Sequence, residues 1–182
     1  MKKVLVVVDM QEDFIYGSLG SESARAIVPN VIKKIEEYDA LNYPVLFTRD
    51  SHYAEDYLTT LEGTLLPIPH CILGTSGWEI PSDILGNHED ICNKFTFGLI
   101  DLAREIEHLI PEGETLEEVE FVGLCTNICV VSNCILLRAF FPNLPITVDA
   151  SCCAGTSPTA HEAALITMES CQIKVINKTW EA

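Results

Sequence analysis

Gly123-Leu124-Cys125-Thr126-Asn127-Ile128-Cys129-Val130 follows an apolar run and precedes a long apolar segment without Gly or Pro. That is the pattern of a strand ending in a sharp turn and opening a helix. With Val119–Leu124 as strand and Asn127–Phe141 as helix, Thr126 or Asn127 becomes the N-cap and Cys129 falls in the first helical turn. Free N–H groups and the helix dipole favour an anion there, so Cys129 is expected to ionise readily. A small buried residue on a core face would fit the same spacing. What separates the two readings is what the other strands end on.

Outward from this stretch, short β-branched or apolar runs alternate with helical periods. Lys3–Val8 is a run of the kind buried on both faces of a parallel sheet, and it ends on Asp9. Pro44–Thr48 ends in Arg49-Asp50-Ser51-His52, Asp90–Asn93 leads to Lys94, Ile146–Val148 ends on Asp149, and Ile173–Ile176 is a last strand. Between them, Ala24–Tyr38 carries an i, i+3, i+4, i+7 apolar stripe with Ser23 as its cap. Gly98–Leu109 carries a second stripe, and Pro158 starts a helix to Ser170. The alternation predicts a three-layer α/β/α sandwich of Rossmann-like type, with a mostly parallel sheet of about six strands. Ligands in such folds bind beyond the carboxyl ends of the strands, which is where Asp9, Asp50 with His52, Lys94 and Cys129 fall.

From His52 to about Ile91 there is no period but many Gly and Pro residues, and a loop this long inside a compact domain is usually functional. Neither a G-x-G-x-x-G after the first strand nor a G-x-x-x-x-G-K-[ST] occurs, so no phosphate cradle and no nucleotide cofactor is expected.

The length of 182 residues fits a single domain over 1–182. With 27 acidic and 11 basic residues the formal charge is -16, which repels nucleic acid and anionic lipid. The N-terminal apolar run Val4–Val8 is too short for a signal or a span and meets Asp9 at once, so a cytoplasmic protein without nucleic-acid or membrane partners is expected. The eight cysteines then read as thiols. No C-x-x-C pair marks a zinc ribbon, and the adjacent Cys152 and Cys153 should point to opposite sides.

A cysteine nucleophile needs a base for its proton and a cation for the resulting charge; Cys129, Asp9 and Lys94 supply the three. Singly, such an Asp is a turn residue and such a Lys is solvated surface. Asp50-x-His52 places a carboxylate and an imidazole on the same side of an extended segment. With His70 they make a donor set suited to Zn²⁺, Fe²⁺ or Mn²⁺, and Glu62 is a candidate fourth ligand. Hydrogen-bonded turn residues are the competing reading of the same positions.

On these segments the chain resembles the isochorismatase-like cysteine hydrolases, and among them the nicotinamidases. Asp9-Met10-Gln11-Glu12-Asp13-Phe14 is similar to the family's D-x-Q-x-D-F. Thr48–His52 and Pro69–Thr75 resemble the segments that carry the nicotinamidase metal ligands, Lys94 matches the catalytic Lys, and Gly123–Val130 resembles the nucleophile segment. The similarity runs from Lys3 to about Ile176. Ser51 and Ile128 stand where aromatics are common, and Asn127 where nicotinamidases usually have Asp.

The resemblance implies an isochorismatase-like fold and a catalytic triad of Asp9, Lys94 and Cys129. It further implies an oxyanion hole from the backbone N–H groups of Cys125 and Cys129, with a cis peptide before Cys125. Asp50, His52 and His70, with Glu62, would hold a divalent metal, zinc first with iron or manganese as alternatives. Phe14 and Leu124 would border the substrate. The implied activity is hydrolysis of nicotinamide, or a similar small aromatic amide, to acid and ammonia through a thioester, a reaction of NAD metabolism, in a homo-oligomer. The alternatives are an isochorismatase-type or another small amide or carbamoyl hydrolase, and a non-catalytic binding member.

Overall fold

In β1 (Lys2–Val8) the side chains part by period two: Val4, Val6 and Val8 enter one apolar cluster, Leu5 and Val7 the other. All five are fully buried, each stabilising the fold by about 2 kcal/mol before chain entropy is charged against it. A charge at Val6 would face neither water nor a partner and should unfold the chain. The computed structural model describes residues 1–178.

Five further strands join β1: β2 (Val45–Asp50), β3 (Ile91–Lys94), β4 (Leu116–Leu124), β5 (Ile146–Ala154) and β6 (Lys174–Ile176). The order is β3-β2-β1-β4-β5-β6, and every pairing is parallel. The helices are α1 (Glu12–Ile15), α2 (Glu22–Ala40), α3 (Leu61–Leu65), α4 (Ser82–Leu85), α5 (Leu102–His108), α6 (Val131–Phe140) and α7 (Pro158–Ser170). The apolar faces of α2 and α4 cover Leu5 and Val7, while α5, α6 and α7 cover the opposite side of the sheet. This is the expected α/β/α sandwich.

The chain runs β1, β2, β3 toward one edge and resumes at β4 on the other side of β1. The strand order thus reverses between β1 and β4, and beyond their carboxyl ends lies the crevice where such sheets bind ligands. Gly123 lets the two strands close there. Its φ is 116°, and a Cβ would lie 2.1 Å from the carbonyl oxygen of Val8, so no other residue fits.

Several boundaries differ from the expected ones. The cap of α2 is Ser21, whose Oγ accepts from Ala24 N at 3.0 Å, leaving Ser23 inside the first turn. β4 begins at Leu116 rather than Val119, because Lys3 reaches Glu118 at 2.7 Å and draws the acidic residues before Val119 into the sheet. α5 starts only at Leu102; Leu99 N donates instead to Asn133 Oδ1 at 2.8 Å. β5 runs past Asp149 to Ala154. Its register with β4 jumps from Phe121↔Val148 to Gly123↔Cys153, and Ser151, Asn177 and Lys34 take up the buried Asp149 carboxylate. Cys152 and Cys153 fall on opposite faces, as expected of neighbours in a strand.

Candidate active site

Three consecutive neighbours in the sheet, β3, β2 and β1, end on Lys94, Asp50 and Asp9, and β4 runs into the turn that carries Cys129. Lys94 Nζ is their meeting point: 2.7 Å from Asp9 Oδ2, 3.1 Å from Asp50 Oδ1 and 3.4 Å from Cys129 Sγ. All four residues are buried. Asp9 is aimed by a left-handed φ of 49°, a region that Asp tolerates better than most residues. Its Oδ1 accepts from Thr48 Oγ1 at 2.7 Å. Its Oδ2 lies beside the ammonium without a well-aligned hydrogen-bond donor.

The turn after β4 differs from the expected N-capped α-helix. Thr126–Val130 is a π-helical turn, a form frequent at functional sites, and α6 follows it. Neither Thr126 nor Asn127 caps it. Thr126 Oγ1 pairs instead with His161 Nδ1 at 2.8 Å, and Asn127 binds Thr156 through its Oγ1 and its N–H. The peptide between Leu124 and Cys125 is cis. Among the described residues, no group outside the π-turn itself accepts a hydrogen bond from the N–H of Cys125 or Cys129.

Electrostatics correct one expectation. Burial, followed by the Asp9 carboxylate, pushes the Cys129 thiol well above its usual range, against the pull of Lys94. Desolvation and the carboxylates outweigh Lys94, and the balance favours the thiol over the thiolate. Burial likewise raises the Asp9 carboxyl, with Lys94 opposing. Burial alone would lower Lys94, but Asp9, Cys129 and Asp50 more than offset it and keep the ammonium charged.

The second constellation adjoins the first through Asp50. Its Oδ2 lies 2.8 Å from His52 Nε2 and 3.6 Å from His70 Nε2; Glu62 Oε1 lies 3.9 Å and 3.5 Å from the same two nitrogens. The four donor atoms lie within 4.8 Å of one another. A tetrahedral zinc with bonds of about 2.0 Å has ligand edges of about 3.3 Å, so the donors match such an ion in type and spacing. His70 Nδ1 faces the carbonyl of Ile68 at 2.9 Å. A carbonyl only accepts, so Nδ1 carries the proton and Nε2 is the nitrogen turned to the cluster. Burial would lower His70, yet hydrogen bonds to Asp50 and Glu62 raise it to about 9. Burial would raise Asp50, but His52, His70 and Lys94 hold it well below the carboxylate range.

Both constellations open onto one cavity of about 250 Å³. Phe14 and Leu124, expected to border the substrate, line it. So do Cys125 and Cys129 from the turn after β4, and Asp50, Glu62 and His70 from the cluster. Ile128, standing where an aromatic is common, lines it as well, and sequence reasoning missed Leu19, Leu66, Phe97 and Thr156, which also contribute to the wall. They sit in loops and turns with no shared period, so no pattern signals them. Where an aromatic is common at position 51, Ser51 Oγ accepts from the indole of Trp78 at 2.8 Å.

The isochorismatase domain model matches residues 3–179. The chain belongs to the isochorismatase family. It is therefore a hydrolase, of the class acting on C–N amide bonds to which its nicotinamidase relatives belong. Nicotinamidase 3 of Arabidopsis thaliana is 26% identical over 178 residues, 90% of this chain and 79% of that protein. The nicotinamidase/pyrazinamidase PncA of Bacillus subtilis is 26% identical, with a TM-score of 0.79 over 96% of this chain and 99% of that one. The pyrazinamidase of Pyrococcus horikoshii, solved in complex with zinc, is 25% identical with a TM-score of 0.77, over 98% and 100% of the two chains. Among the described residues no helix is long and apolar enough to cross a membrane.

Proposed function

We propose that this enzyme hydrolyses nicotinamide, or a closely similar neutral aromatic amide, to the acid and ammonia through a thioester on Cys129. One observation carries the proposal: the Cys129 turn and a nitrogen/oxygen metal-type cluster open onto a single small cavity whose remaining wall is mostly apolar. An aromatic ring fits such a wall, and the polar groups at two ends can fix its orientation.

Asp9 acts as general base through Oδ2 and takes the thiol proton as Cys129 Sγ attacks the amide carbonyl. With the thiol favoured over the thiolate at rest, deprotonation and attack go together. Lys94 balances the charge that passes between carboxylate and sulfur, and the N–H groups of Cys125 and Cys129 receive the oxyanion. Asp9 then returns the proton to the departing amine, which leaves as ammonia; water attacks the thioester and releases the acid. Asp50, His52, Glu62 and His70 would hold a zinc ion, whose chemistry there is that of a Lewis acid toward the ring nitrogen.

The cavity also weighs against the isochorismatase-type alternative. No Lys or Arg lines it, so apart from an ion held by the cluster the wall offers no cationic side chain to a substrate bearing carboxylates. The eight free cysteines accord with a reducing, cytoplasmic setting. β3 and β6 leave two sheet edges for self-association, and a sedimentation experiment returning only monomer would remove the homo-oligomer from the proposal.

An ammonia-release assay over nicotinamide, pyrazinamide, isochorismate-like acids and small carbamoyl compounds, with and without chelator, tests the whole. Turnover of the pyridine amides, lost with chelator and restored by zinc, is expected. Turnover of the carboxylated compounds alone would replace the substrate class.

A further inference from the structure

Asp50 lies beyond the point where its neighbouring strand gives out. β1 pairs with β2 as far as Val8↔Thr48, then turns away at Asp9, whereas β2 continues through Arg49 to Asp50. The N–H and C=O of Asp50 therefore face a side of the sheet from which the backbone partner has gone, and buried backbone groups need partners. Gln11 supplies them. Its Oε1 accepts from Asp50 N at 2.7 Å, and its Nε2 donates to Asp50 O at 2.9 Å and to Trp78 O at 2.8 Å. The side-chain amide takes the place of the peptide group that a longer β1 would have offered. Gln11 is fully buried and spends its hydrogen-bonding on backbone alone.

The next alternate residue is held in a comparable way: His52 N donates to Cys71 O, and Leu73 N to His52 O, each at 3.0 Å. Asp50 and His52 thus stay extended, with both side chains on one side. The role of Gln11 rests on the metal reading given above.

We propose that Gln11 is a positioning residue: its amide, standing in for a missing strand, fixes Asp50 and so sets the affinity of the Asp50, His52, Glu62 and His70 cluster for a divalent cation. Gln11 touches no cluster atom, and it acts through the backbone of one ligand. Asp50 also reaches Lys94 with Oδ1, so a shift of its backbone would disturb the ion pair together with the cluster.

The test is zinc affinity of the full-length protein after chelator stripping, measured by competition with a chromogenic chelator. Gln11→Met keeps the length and loses every hydrogen bond, and it should bind zinc about ten- to a hundredfold more weakly, the usual size for partners that orient a ligand. Tyr38→Phe is the control. It removes a buried hydrogen bond to Glu120 at 2.7 Å far from the cluster, so it should lower the melting temperature but bind zinc like the parent. A Gln11→Met protein that loses melting temperature yet binds zinc like the parent would reduce Gln11 to a structural residue and overturn the proposal.

Should Gln11→Met fail to fold, a zinc titration of the parent followed by amide NMR decides. The Gln11 side-chain amide and the Asp50 backbone amide are expected to shift together, with one apparent affinity, and an unmoved Gln11 amide overturns the proposal. If the parent binds no zinc, the metal reading falls and this one with it. If the parent binds and the variant binds equally, the Gln11 assignment alone falls.

Discussion

Two lysines in this chain are each bracketed by a pair of carboxylates, and they sit in different surroundings. Lys94 lies 2.7 Å from Asp9 and 3.1 Å from Asp50; Lys34, on α2, lies 2.9 Å from both Glu120 and Asp149. Burial would lower each, and the surrounding acids raise each above its usual value. The Lys34 group joins α2 to the middle of β4 and β5, with Tyr38 donating to Glu120 at 2.7 Å, so it ties one helical layer to the sheet. The Lys94 group sits where four strands end and has a thiol as third neighbour. A buried, strongly perturbed ion pair therefore does not mark a site by itself. Position at the carboxyl end of the sheet and an open path to substrate do.

The comparison can be sharpened by substitution, beginning with the thiol that only one of the two groups contains. Cys129→Ala should lower turnover on the order of 10⁴-fold or more, as loss of a nucleophile does, with the fold kept, because a small side chain leaves a small cavity. Lys94→Met should lower kcat/KM by about 10²- to 10⁴-fold. In that protein the thiol faces Asp9 and Asp50 uncompensated, so its pKa rises further and iodoacetamide alkylation at neutral pH slows. Alkylation as fast as in the parent would put Lys94 in the same class as Lys34. Lys34→Met should do the reverse, costing about 2 kcal/mol of stability for a partly exposed network and leaving kcat/KM near the parent value. A matching loss of activity would dissolve the distinction.

A pH series touches the cluster that Lys94 adjoins. The metal-free His70 holds its proton up to about 9, and that proton must leave before Nε2 can bind an ion. Zinc affinity should therefore climb with pH by up to about tenfold per unit and level off only as pH passes about 9. For folding of the metal-free protein the sign is opposite. The raised pKa stabilises it fully below the ordinary histidine value of 6.5, and this contribution is lost as pH rises through about 9. A flat affinity between pH 6 and 9 would detach His70 from the cluster. The smallest effect belongs to Cys125→Ala, which removes a side chain whose proposed part is played by its backbone N–H; kcat/KM should stay near the parent value. A dead Cys125→Ala beside an active Cys129→Ala would reverse the nucleophile assignment.

The strand ends were legible because buried parallel strands are short apolar runs that stop abruptly at polar residues; Asp9, Asp50, Lys94 and Cys129 all stand at such stops. The metal-type ligands were legible by residue type, although nothing in a stretch rich in Gly and Pro indicates that Glu62 and His70 fold back onto Asp50. Gln11 was not legible as a strand substitute, since its role depends on where β1 turns away. Nor was the state of the Cys129 thiol. A helix terminus suggests ionisation, but the depth of burial that pushes the thiol the other way is a property of the packed sheet.

The most direct measurement is the mass of the protein itself during turnover. The parent enzyme, mixed with excess nicotinamide, quenched in acid at millisecond times and digested, should carry one nicotinoyl group in place of a proton on the peptide containing Cys129, appearing before and decaying with the release of acid. Ammonia release with no acyl adduct at any time, undiminished in Cys129→Ala, would contradict a thioester at this cysteine and with it the roles given to Asp9 and Lys94.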